Sequence, residues 1–329
     1  MLSQVVELIE NKQAFGITTH IKPDGDGVGS SLGLCWLLKS LGKNAEVIVH
    51  GDIPFAYRGL PGAEEIRQVN EVDADYDAIF VIECSDLLRP GINGLDQEFT
   101  VNIDHHATGE HFGSINWIDP TASAVGEMVY NLCKAIGGRV TKQIAECVYM
   151  ALVTDTGSFH FPNTTDRTLK VASELVKAGV KPARISEIVY NSYPWARIDL
   201  MRQVMGTVHR DPSCRIAMMR QTLAMRQDAG AEDGDNNGFV NIPLAAREIL
   251  AVIYMREVGE KKYRVSLRSK GDINVSKVAE KFGGGGHKNA SGLAIEGDWD
   301  EAEATLLSAV TEAVDRCEPD WISEAPDSE

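Results

Sequence analysis

The chain has 329 residues, too many for one ordinary hydrophobic core and enough for two domains. Hydrophobic residues make up 43% and charged residues 24%, and no apolar run approaches the roughly 20 residues of a membrane helix, so we expect a soluble globular protein without a membrane partner. The 32 basic and 48 acidic residues give a net charge of −16, which argues against binding of long nucleic acid but allows a small anionic substrate.

Strand-like apolar runs alternate with helical patterns from residue 1 to about 190. We predict strands at 15–20, 45–50, 77–83 and 99–103, and helices at 28–41, 121–136, 141–153 and 165–178. This alternation predicts an α/β fold with a mostly parallel sheet and helices on both faces. Ligands of such folds gather at the carboxyl ends of the strands.

The second half of the chain predicts a smaller α/β domain. We expect domains at 1–192 and 212–329, joined by a helical linker at 193–211. The second domain has predicted strands at 215–220, 249–257, 263–269 and 290–295, one helix before the last strand, and a final helix to about residue 316. The acidic ending, from residue 317, is expected to fray.

Two features predict a cytoplasmic protein. The first twelve residues, MLSQVVELIENK, carry acids where a signal peptide carries basic residues. The six cysteines form no CxxC pair and no regular framework, which is typical of reduced thiols.

The stretch HIKPDGDGVGS, residues 20–30, follows the first strand and allows three interpretations. Its glycines nearly fit a dinucleotide-binding fingerprint, but Ser30 replaces the last glycine, and two aspartates would face a pyrophosphate without a counter-charge. It also fits a polar turn that caps a helix. Finally, His20, Asp24 and Asp26 are suitable metal ligands at the end of a strand.

Other segments favour the metal site. NIDHHATG follows the strand at 99–103, DAIFVIECSD ends a strand with Glu83 and then Asp86, and ALVTDTGSFHF ends a helix with an aspartate. The groups that would converge are His20, Asp24, Asp26, Glu83, His105 and Asp155. Their four carboxylates would repel one another severely unless about two divalent cations offset the charge. Two such ions form a hydrolytic centre for phosphate esters.

Two glycine-containing stretches of the second half also allow more than one interpretation. FGGGGHKNASG, residues 282–292, fits a helix C-cap with a flexible loop, or an anion-binding nest beside His287, and SLRSKG adds Arg268 and Lys270 for phosphate recognition. DGDNNG, residues 233–238, opens like a calcium-binding EF-hand loop, but its twelfth position is Leu244 instead of glutamate, so we interpret it as an exposed loop.

With HIKPDGDGVGS, NIDHH, VTDTGSF and GGGGHKNASG in this order, the sequence resembles the DHH phosphoesterase superfamily. Within it, the chain is most similar to the nano-RNase branch, the oligoribonucleases and 3′-phosphoadenosine 5′-phosphate phosphatases. The likeness runs from about residue 14 to 315 and includes NWIDPTASAVGEMVY, FPNTTDRTLK and RVSLRSKG. The combination is specific, although each motif alone is weak.

The resemblance implies a DHH domain and a DHH-associated domain with two Mn²⁺ ions between them. His20, Asp24 and an acid of the second motif would hold one ion, and the same acid would share the other with Asp26, His105 and Asp155. His106 would lie near the scissile phosphate, and Asp104 would support a neighbouring imidazole. Substrate-binding residues would be Arg268, Lys270, Gly284, Gly285, Gly286, His287 and Ser291. A homodimer is plausible for this superfamily.

The second motif departs from the family pattern, which usually has aspartate where this strand ends with Glu83. Counting back from Arg89, which matches an arginine of the pattern, places the metal ligand at Glu83, with Asp86 as the alternative. Glutamate is longer by one methylene, so this departure bears on the spacing of the two metals.

The hypothesis is therefore metal-assisted hydrolysis of a short phosphodiester or a terminal phosphomonoester, with His106 assisting the leaving oxygen. Hydrolysis of dinucleotide second messengers would use the same site. A non-catalytic nucleotide or metal sensor is the alternative of a different class. Inorganic pyrophosphatase activity and processive digestion of long strands fit the motifs and the net charge less well.

Overall fold

The structure, a computed structural model, describes residues 1–107 and 109–317. The chain divides into two compact units, the first from Met1 to Ser192 and the second from Tyr193 onward. None of the helices in the described ranges has the length and apolar character needed to cross a membrane. The acidic ending that we expected to fray, residues 318–329, lies outside the described residues.

The first unit contains a six-stranded sheet and the longer helices packed on it. Its strands are β1 (Ala14–Thr19), β2 (Asn44–Val49), β3 (Arg67–Gln68), β4 (Ala78–Ile82), β5 (Thr100–Asp104) and β6 (Ile115–Ile118). Its α-helices in the described residues are α1 (Leu2–Asn11), α2 (Gly25–Ser40), α3 (Val125–Ala135), α4 (Lys142–Asp155), α5 (Asp166–Lys177) and α6 (Pro182–Tyr190).

The strands follow the order β3-β2-β1-β4-β5-β6, and every neighbouring pair is parallel, which confirms the predicted parallel sheet with helices. Phe15, Ile17 and Phe80 point to one face and join the buried residues of the α-helices in one core. On the other face Ile48 and Ile79 pack against the segment that follows β4, which includes the short 3₁₀ helix Leu95–Gln97. The carboxyl ends of β1, β4 and β5 therefore lie side by side.

Two helix boundaries bear on the site. Helix α2 begins at Gly25, three residues earlier than predicted, because the side chain of Asp24 caps it. Helix α4 continues to Asp155, so that this carboxylate is on the last helical residue. Sequence analysis did not predict α1, β3, β6 and α6.

The second unit has a mixed sheet. Its strands are β7 (His209–Arg210), β8 (Ile216–Gln221), β9 (Ala251–Gly259), β10 (Lys262–Ser269), β11 (Gly285–His287) and β12 (Ala290–Glu296), and its α-helices among the described residues are α7 (Trp195–Met205), α8 (Leu223–Ala229), α9 (Asn241–Leu244), α10 (Ser276–Glu280) and α11 (Trp299–Asp315). The strand order is β11-β12-β10-β9-β8-β7, with β8 and β9 parallel and the other pairs antiparallel.

The segment 193–211, expected to be a linker, contains α7 and β7. Helix α7 buries Leu200 and Val204 in a core that it shares with β8 and β9. The loop at 233–238, which we distinguished from a calcium site, is held by the guanidinium of Arg197. This group donates hydrogen bonds to the backbone carbonyls of Asp235 and Asn237.

Candidate metal centre and arginine face

Asp24 and Asp26 stand at the first turn of α2, immediately after β1. Oδ1 of Asp24 accepts hydrogen bonds from the backbone N–H groups of Asp26 (2.9 Å) and Gly27 (3.0 Å), so it satisfies donors that a helix start leaves without partners. The polar turn with a helix cap is thus present, and it presents both carboxylates at the carboxyl edge of the sheet.

The buried carboxylate of Asp26 caps another helix, α3. Its Oδ2 accepts a hydrogen bond from the backbone N–H of Val125 (2.7 Å), and its Oδ1 accepts bonds from the N–H of Gly126 (3.1 Å) and the hydroxyl of Ser30 (2.6 Å). Val125 and Gly126 begin α3, whose own N-cap, Ala124, has no capping side chain. The start of α3 therefore fixes this carboxylate.

His20 and His105 follow two different strands, and each ring is oriented by a hydrogen bond between its Nδ1 atom and a backbone carbonyl. Nδ1 of His20 lies 3.0 Å from the carbonyl of Ile21, and Nδ1 of His105 lies 3.1 Å from the carbonyl of Ala122. These bonds place the ring proton on Nδ1 and turn Nε2 of each ring toward the carboxylates. A second hydrogen bond of this kind is typical of histidines that bind metals.

Glu83 follows β4 in a left-handed backbone conformation, with φ of 58°. Such a conformation costs a non-glycine residue about 1–3 kcal/mol and is concentrated at functional sites. The Oε2 atom of Glu83 is buried, makes no hydrogen bond within the described residues, and lies 3.7 Å from Nε2 of His20. A Cβ atom at Gly27 would come within 3.0 Å of this oxygen, so the glycine leaves room for the glutamate.

Asp86, the alternative ligand, has its carboxylate bonded to the backbone of the turn that follows. Its Oδ1 accepts hydrogen bonds from the backbone N–H groups of Leu88 (2.9 Å) and Arg89 (3.0 Å), and so it shapes the turn after β4. Among the described residues it belongs to no group of donor atoms that could hold a metal.

The six predicted ligands converge. Donor atoms lie within 4.8 Å of one another in three groups, which are His20, Asp24 and Glu83; Asp26, Glu83, His105 and Asp155; and Glu83, His105 and His106. Glu83 is common to all three groups. We call the six predicted ligands the donor cluster.

The charges of the donor cluster are unfavourable without a cation. Burial, followed by the charges of Asp24 and Asp26, raises the pKa of Glu83 well above its usual value. Burial and the charge of Asp26 raise the pKa of Asp155 to about 7. Nε2 of His105 is buried without a hydrogen bond in the described structure, 3.6 Å from Oδ2 of Asp155. These unpartnered atoms and the mixed oxygen and nitrogen donors fit divalent cations.

Asp104 and His106 form a pair beside the donor cluster. Nδ1 of His106 lies 2.7 Å from Oδ1 of the fully buried Asp104, whose Oδ1 also accepts the backbone N–H of His105 (2.8 Å). Burial would raise the pKa of Asp104, but the hydrogen bond and charge of His106 outweigh it and lower the pKa. The carboxylate can therefore hold a proton on the facing nitrogen of His106.

Sequence analysis missed one side chain of this site, Asn163. Its Nδ2 donates to the carbonyl of Ser123 (3.0 Å), to the carbonyl of Asp155 (3.1 Å) and toward Oδ2 of Asp155 (3.4 Å). Its motif, FPNTTDRTLK, was noticed only as part of the family likeness, since a single asparagine carries no ligand signal.

In the second unit, three arginines share one face of the sheet, which we call the arginine face. Arg256 on β9 lies opposite Arg264 on β10, and Arg268 points to the same side four residues further on. None of the three makes a salt bridge within the described ranges. Burial lowers the pKa of Arg268, and the charge of Arg256 lowers it further. Like charges opposite one another in a sheet are destabilising, so this face favours an anion. Sequence analysis named only Arg268.

The remaining residues predicted to bind substrate have different surroundings. His287 is exposed, but Nζ of Lys270 donates to the carbonyl of Ala246 (2.6 Å), and the buried hydroxyl of Ser291 donates to the carbonyl of Val275 (2.8 Å). The hydroxyl donor of Ser291 and one of the three ammonium donors of Lys270 therefore already have acceptors in the local structure.

The glycine-rich stretch is partly a strand rather than a loop. The first two glycines follow α10 and donate backbone hydrogen bonds to the carbonyls of its last two residues, Glu280 and Ala279, and the edge strand β11 then pairs with β12. A Cβ atom at Gly284 would lie 2.2 Å from the carbonyl oxygen of Gly292, and Gly286 has φ of 138°. Gly285 has open space at the same position, so close packing requires glycine at only some of these positions.

Comparisons with known proteins agree with this architecture. A family model described as the DHH family, N-terminal domain, matches residues 14–152, and one described as the DHHA1 domain matches residues 219–316. A bifunctional oligoribonuclease and PAP phosphatase NrnA from Thermus thermophilus is 35% identical over 318 residues, which cover 96% of this chain and 94% of that protein.

Two further proteins are similar over almost their whole length. A bifunctional oligoribonuclease and PAP phosphatase NrnA from Bacillus subtilis is 28% identical over 326 residues, covering 94% of this chain and 98% of that protein. The crystal structure of an exopolyphosphatase-related protein from Bacteroides fragilis has a TM-score of 0.87 and 29% identity, with 94% and 95% of the two chains covered.

Proposed function

The chain belongs to the DHH family, and from this premise we propose that it is a two-metal phosphoesterase that hydrolyses short oligonucleotides and 3′-phosphoadenosine 5′-phosphate. The observation that carries the proposal is the donor cluster, in which buried carboxylates and two oriented imidazoles meet at one edge of a parallel sheet. The names of the two NrnA relatives supply the substrate classes.

We assign the ions as follows. His20, Asp24 and Glu83 would hold one divalent cation, and Asp26, Glu83, His105 and Asp155 would hold the other. Glu83 would be shared, because it is the acid that belongs to both groups. Mn²⁺ is the proposed ion, since the resemblance implies it and mixed imidazole and carboxylate donors suit it. When bound, the cations neutralise the carboxylates, activate water and stabilise charge on the phosphate.

The protein groups around the cations have separate tasks. Asp104 holds a proton on Nδ1 of His106 and stabilises the imidazolium, so that His106 can protonate the leaving oxygen of the substrate. Asp26 and His105 keep their orientation through bonds to the backbone at Val125 and Ala122. The rigid placement of these groups reduces the reorganisation needed during hydrolysis.

We propose that the arginine face binds an anionic group of a short nucleotide substrate. Three arginines that make no salt bridge with the described residues form a positive surface in an otherwise acidic protein. The exposed His287 and Gly285, which has open space at its Cβ position, lie on β11 of the same sheet. A short substrate has few phosphates, so each contact contributes a large part of its affinity. Dinucleotide second messengers also carry phosphate groups that arginines could bind. The experiment below therefore includes one of them.

The decisive experiment compares hydrolysis of an RNA dinucleotide, 3′-phosphoadenosine 5′-phosphate, a cyclic dinucleotide and pyrophosphate, with Mn²⁺ and after chelation. We expect turnover of the first two that is lost on chelation and in Asp26→Ala and His105→Ala proteins that remain folded by circular dichroism. Preference for the cyclic dinucleotide would favour messenger turnover. Binding of Mn²⁺ and nucleotide without hydrolysis across pH 7–9 would identify a sensor and overturn the proposal.

A further inference from the structure

The two donor groups of the proposed metal centre differ in how the protein holds them. In the part of the chain that the structure describes, two ligands of the first group make their hydrogen bonds to neighbours in sequence. Nδ1 of His20 bonds to the carbonyl of the next residue, and Asp24 caps the helix that it precedes. His20 and Asp24 are therefore oriented by local hydrogen bonds among the described residues.

The second group is braced by one distant stretch of the chain, segment 119–126. The carbonyl of Ala122 fixes the ring of His105, and the backbone N–H groups of Val125 and Gly126 fix the carboxylate of Asp26. These ligands come from two separate regions of the sequence, the start of α2 and the end of β5. The same segment thus sets the distance between them.

Asn163 connects the remaining ligand to this segment. Its side-chain amide donates to the carbonyl of Ser123 and to both the carbonyl and the carboxylate of Asp155. The three acceptors determine the orientation of the amide, since the reversed amide would bring its oxygen against other oxygens. The three ligands that the second group does not share with the first, Asp26, His105 and Asp155, are therefore tied to segment 119–126.

Segment 119–126 is itself held in place by the buried side chain of Glu127. Glu127 is fully buried, and its Oε2 accepts hydrogen bonds from the backbone N–H (3.2 Å) and the hydroxyl (2.8 Å) of Ser123. Arg167 donates to the other carboxylate oxygen of Glu127. A buried acid with both oxygens occupied holds its partners firmly, because breaking either bond would leave a charge without compensation.

We propose that the group of Asp26, Glu83, His105 and Asp155 binds its divalent ion first and more tightly, and that Asn163 is the positioning residue that makes this order possible. The group offers four donors, against three in the other group, and they are already assembled. Preorganised ligands lose less conformational entropy on binding, so the difference appears as affinity. The inference rests on the proposed two-metal centre.

The test is titration of the full-length, metal-stripped protein with Mn²⁺ by calorimetry. We expect two separate binding events in the unaltered protein. Asn163→Ala should weaken the tighter event by about 10- to 100-fold, the loss typical of partners that orient metal ligands, with little change in the weaker event. His20→Ala should remove the weaker event and leave the tighter one in place.

Electron paramagnetic resonance gives a second readout. At one equivalent of Mn²⁺ we expect the signal of an isolated ion, and the signal of a coupled pair only as the second equivalent binds. In the Asn163→Ala protein the coupled signal should appear at a lower ratio of Mn²⁺ to protein. The two sites then have similar affinities, so some molecules hold two ions before one equivalent has bound. A merely structural substitution would not change this order.

Asn116→Ala is the matched control. This asparagine also holds a turn of the first unit through two hydrogen bonds, to the carbonyl (2.6 Å) and from the N–H (2.9 Å) of Gly113, but contributes to no donor group. It should leave both events unchanged. If Asn163→Ala fails to fold by circular dichroism, Asn163→Asp, which keeps the size and replaces the donor with a carboxylate, takes its place.

The outcomes separate this inference from the proposed function. Equal weakening of both events by the Asn163 variant, or loss of the tighter event in His20→Ala, would overturn the binding order while leaving a two-metal centre. Absence of any Mn²⁺ binding in the unaltered protein would instead refute the metal centre itself.

Discussion

The donor cluster of the first unit and the arginine face of the second concentrate charges of opposite sign, and they do so by different means. Half of the donor cluster is buried, namely His20, Asp26 and Glu83, while Asp24 is exposed. Backbone groups fix the orientation of Asp26 and His105. The arginine face is built on the repeat of a sheet, with side chains that are half-buried or exposed. Burial makes the charges of the first region unfavourable without a counter-charge, whereas the arginines of the second keep part of their surface in water.

The largest effect should come from the acid that the two metal groups share. Glu83→Gln removes one charge from both groups, so we expect loss of hydrolysis by about 1,000-fold or more, together with weaker binding of both ions. Asp86→Asn is the matched control, because that residue shapes a turn outside the groups. Steady-state rates and metal content check this. Equal losses in both variants would contradict the assignment of Glu83.

The second test measures how the free energy of unfolding of the metal-free protein depends on pH. Asp155, with its pKa raised to about 7, keeps a proton in the folded state that the unfolded chain loses near pH 4. The free energy of unfolding should therefore fall as pH rises from about 4 to 7, by up to a few kcal/mol. The raised pKa values of Asp26 and Glu83 act in the same direction.

Urea unfolding at several pH values measures this slope. Saturating Mn²⁺ should remove it, since bound cations favour the ionised carboxylates. Asp155→Asn should reduce the slope in the metal-free protein. An identical pH profile with and without metal would show that the carboxylates do not repel one another as their positions indicate.

A smaller effect is expected at the arginine face. Arg268→Met removes one charged contact to an anion, worth about 1.5–3 kcal/mol, so KM for 3′-phosphoadenosine 5′-phosphate should rise by about 10- to 100-fold with kcat little changed. Arg256→Met should act in the same direction. Lys281→Met, which breaks an exposed ion pair with Glu312 elsewhere in this unit, serves as the control. A fall in kcat alone would place Arg268 in the chemistry instead.

The smallest effect concerns Lys270. Its Nζ already donates to the carbonyl of Ala246, so Lys270→Met should change KM by no more than about threefold, the effect of a distant surface charge. The same assays measure it, with circular dichroism to follow the local structure. A rise in KM as large as that of Arg268→Met would support the sequence-based prediction that Lys270 contacts the substrate.

The sequence by itself predicted the parallel sheet and the six members of the donor cluster, with Asp86 as the alternative to Glu83. Apolar runs of strand length mark β1, β4 and β5, and His20, Glu83 and His105 each follow directly after one of them. In a parallel sheet those ends share one edge, so order along the chain becomes proximity in space. The arginine of the SLRSKG motif could also be predicted from the sequence, as a basic residue suited to phosphate recognition.

Only the tertiary structure separated Glu83 from Asp86 and revealed which contacts orient the other ligands and which side chains are already engaged. Glu83 and Asp86 are three residues apart, and the left-handed turn at Glu83 separates their roles. Asn163 reaches Asp155 and Ser123 through contacts that no local pattern encodes, and Arg256 acquires its neighbours only when β9 pairs with β10. Such roles depend on distances between remote segments, which packing sets and residue spacing does not.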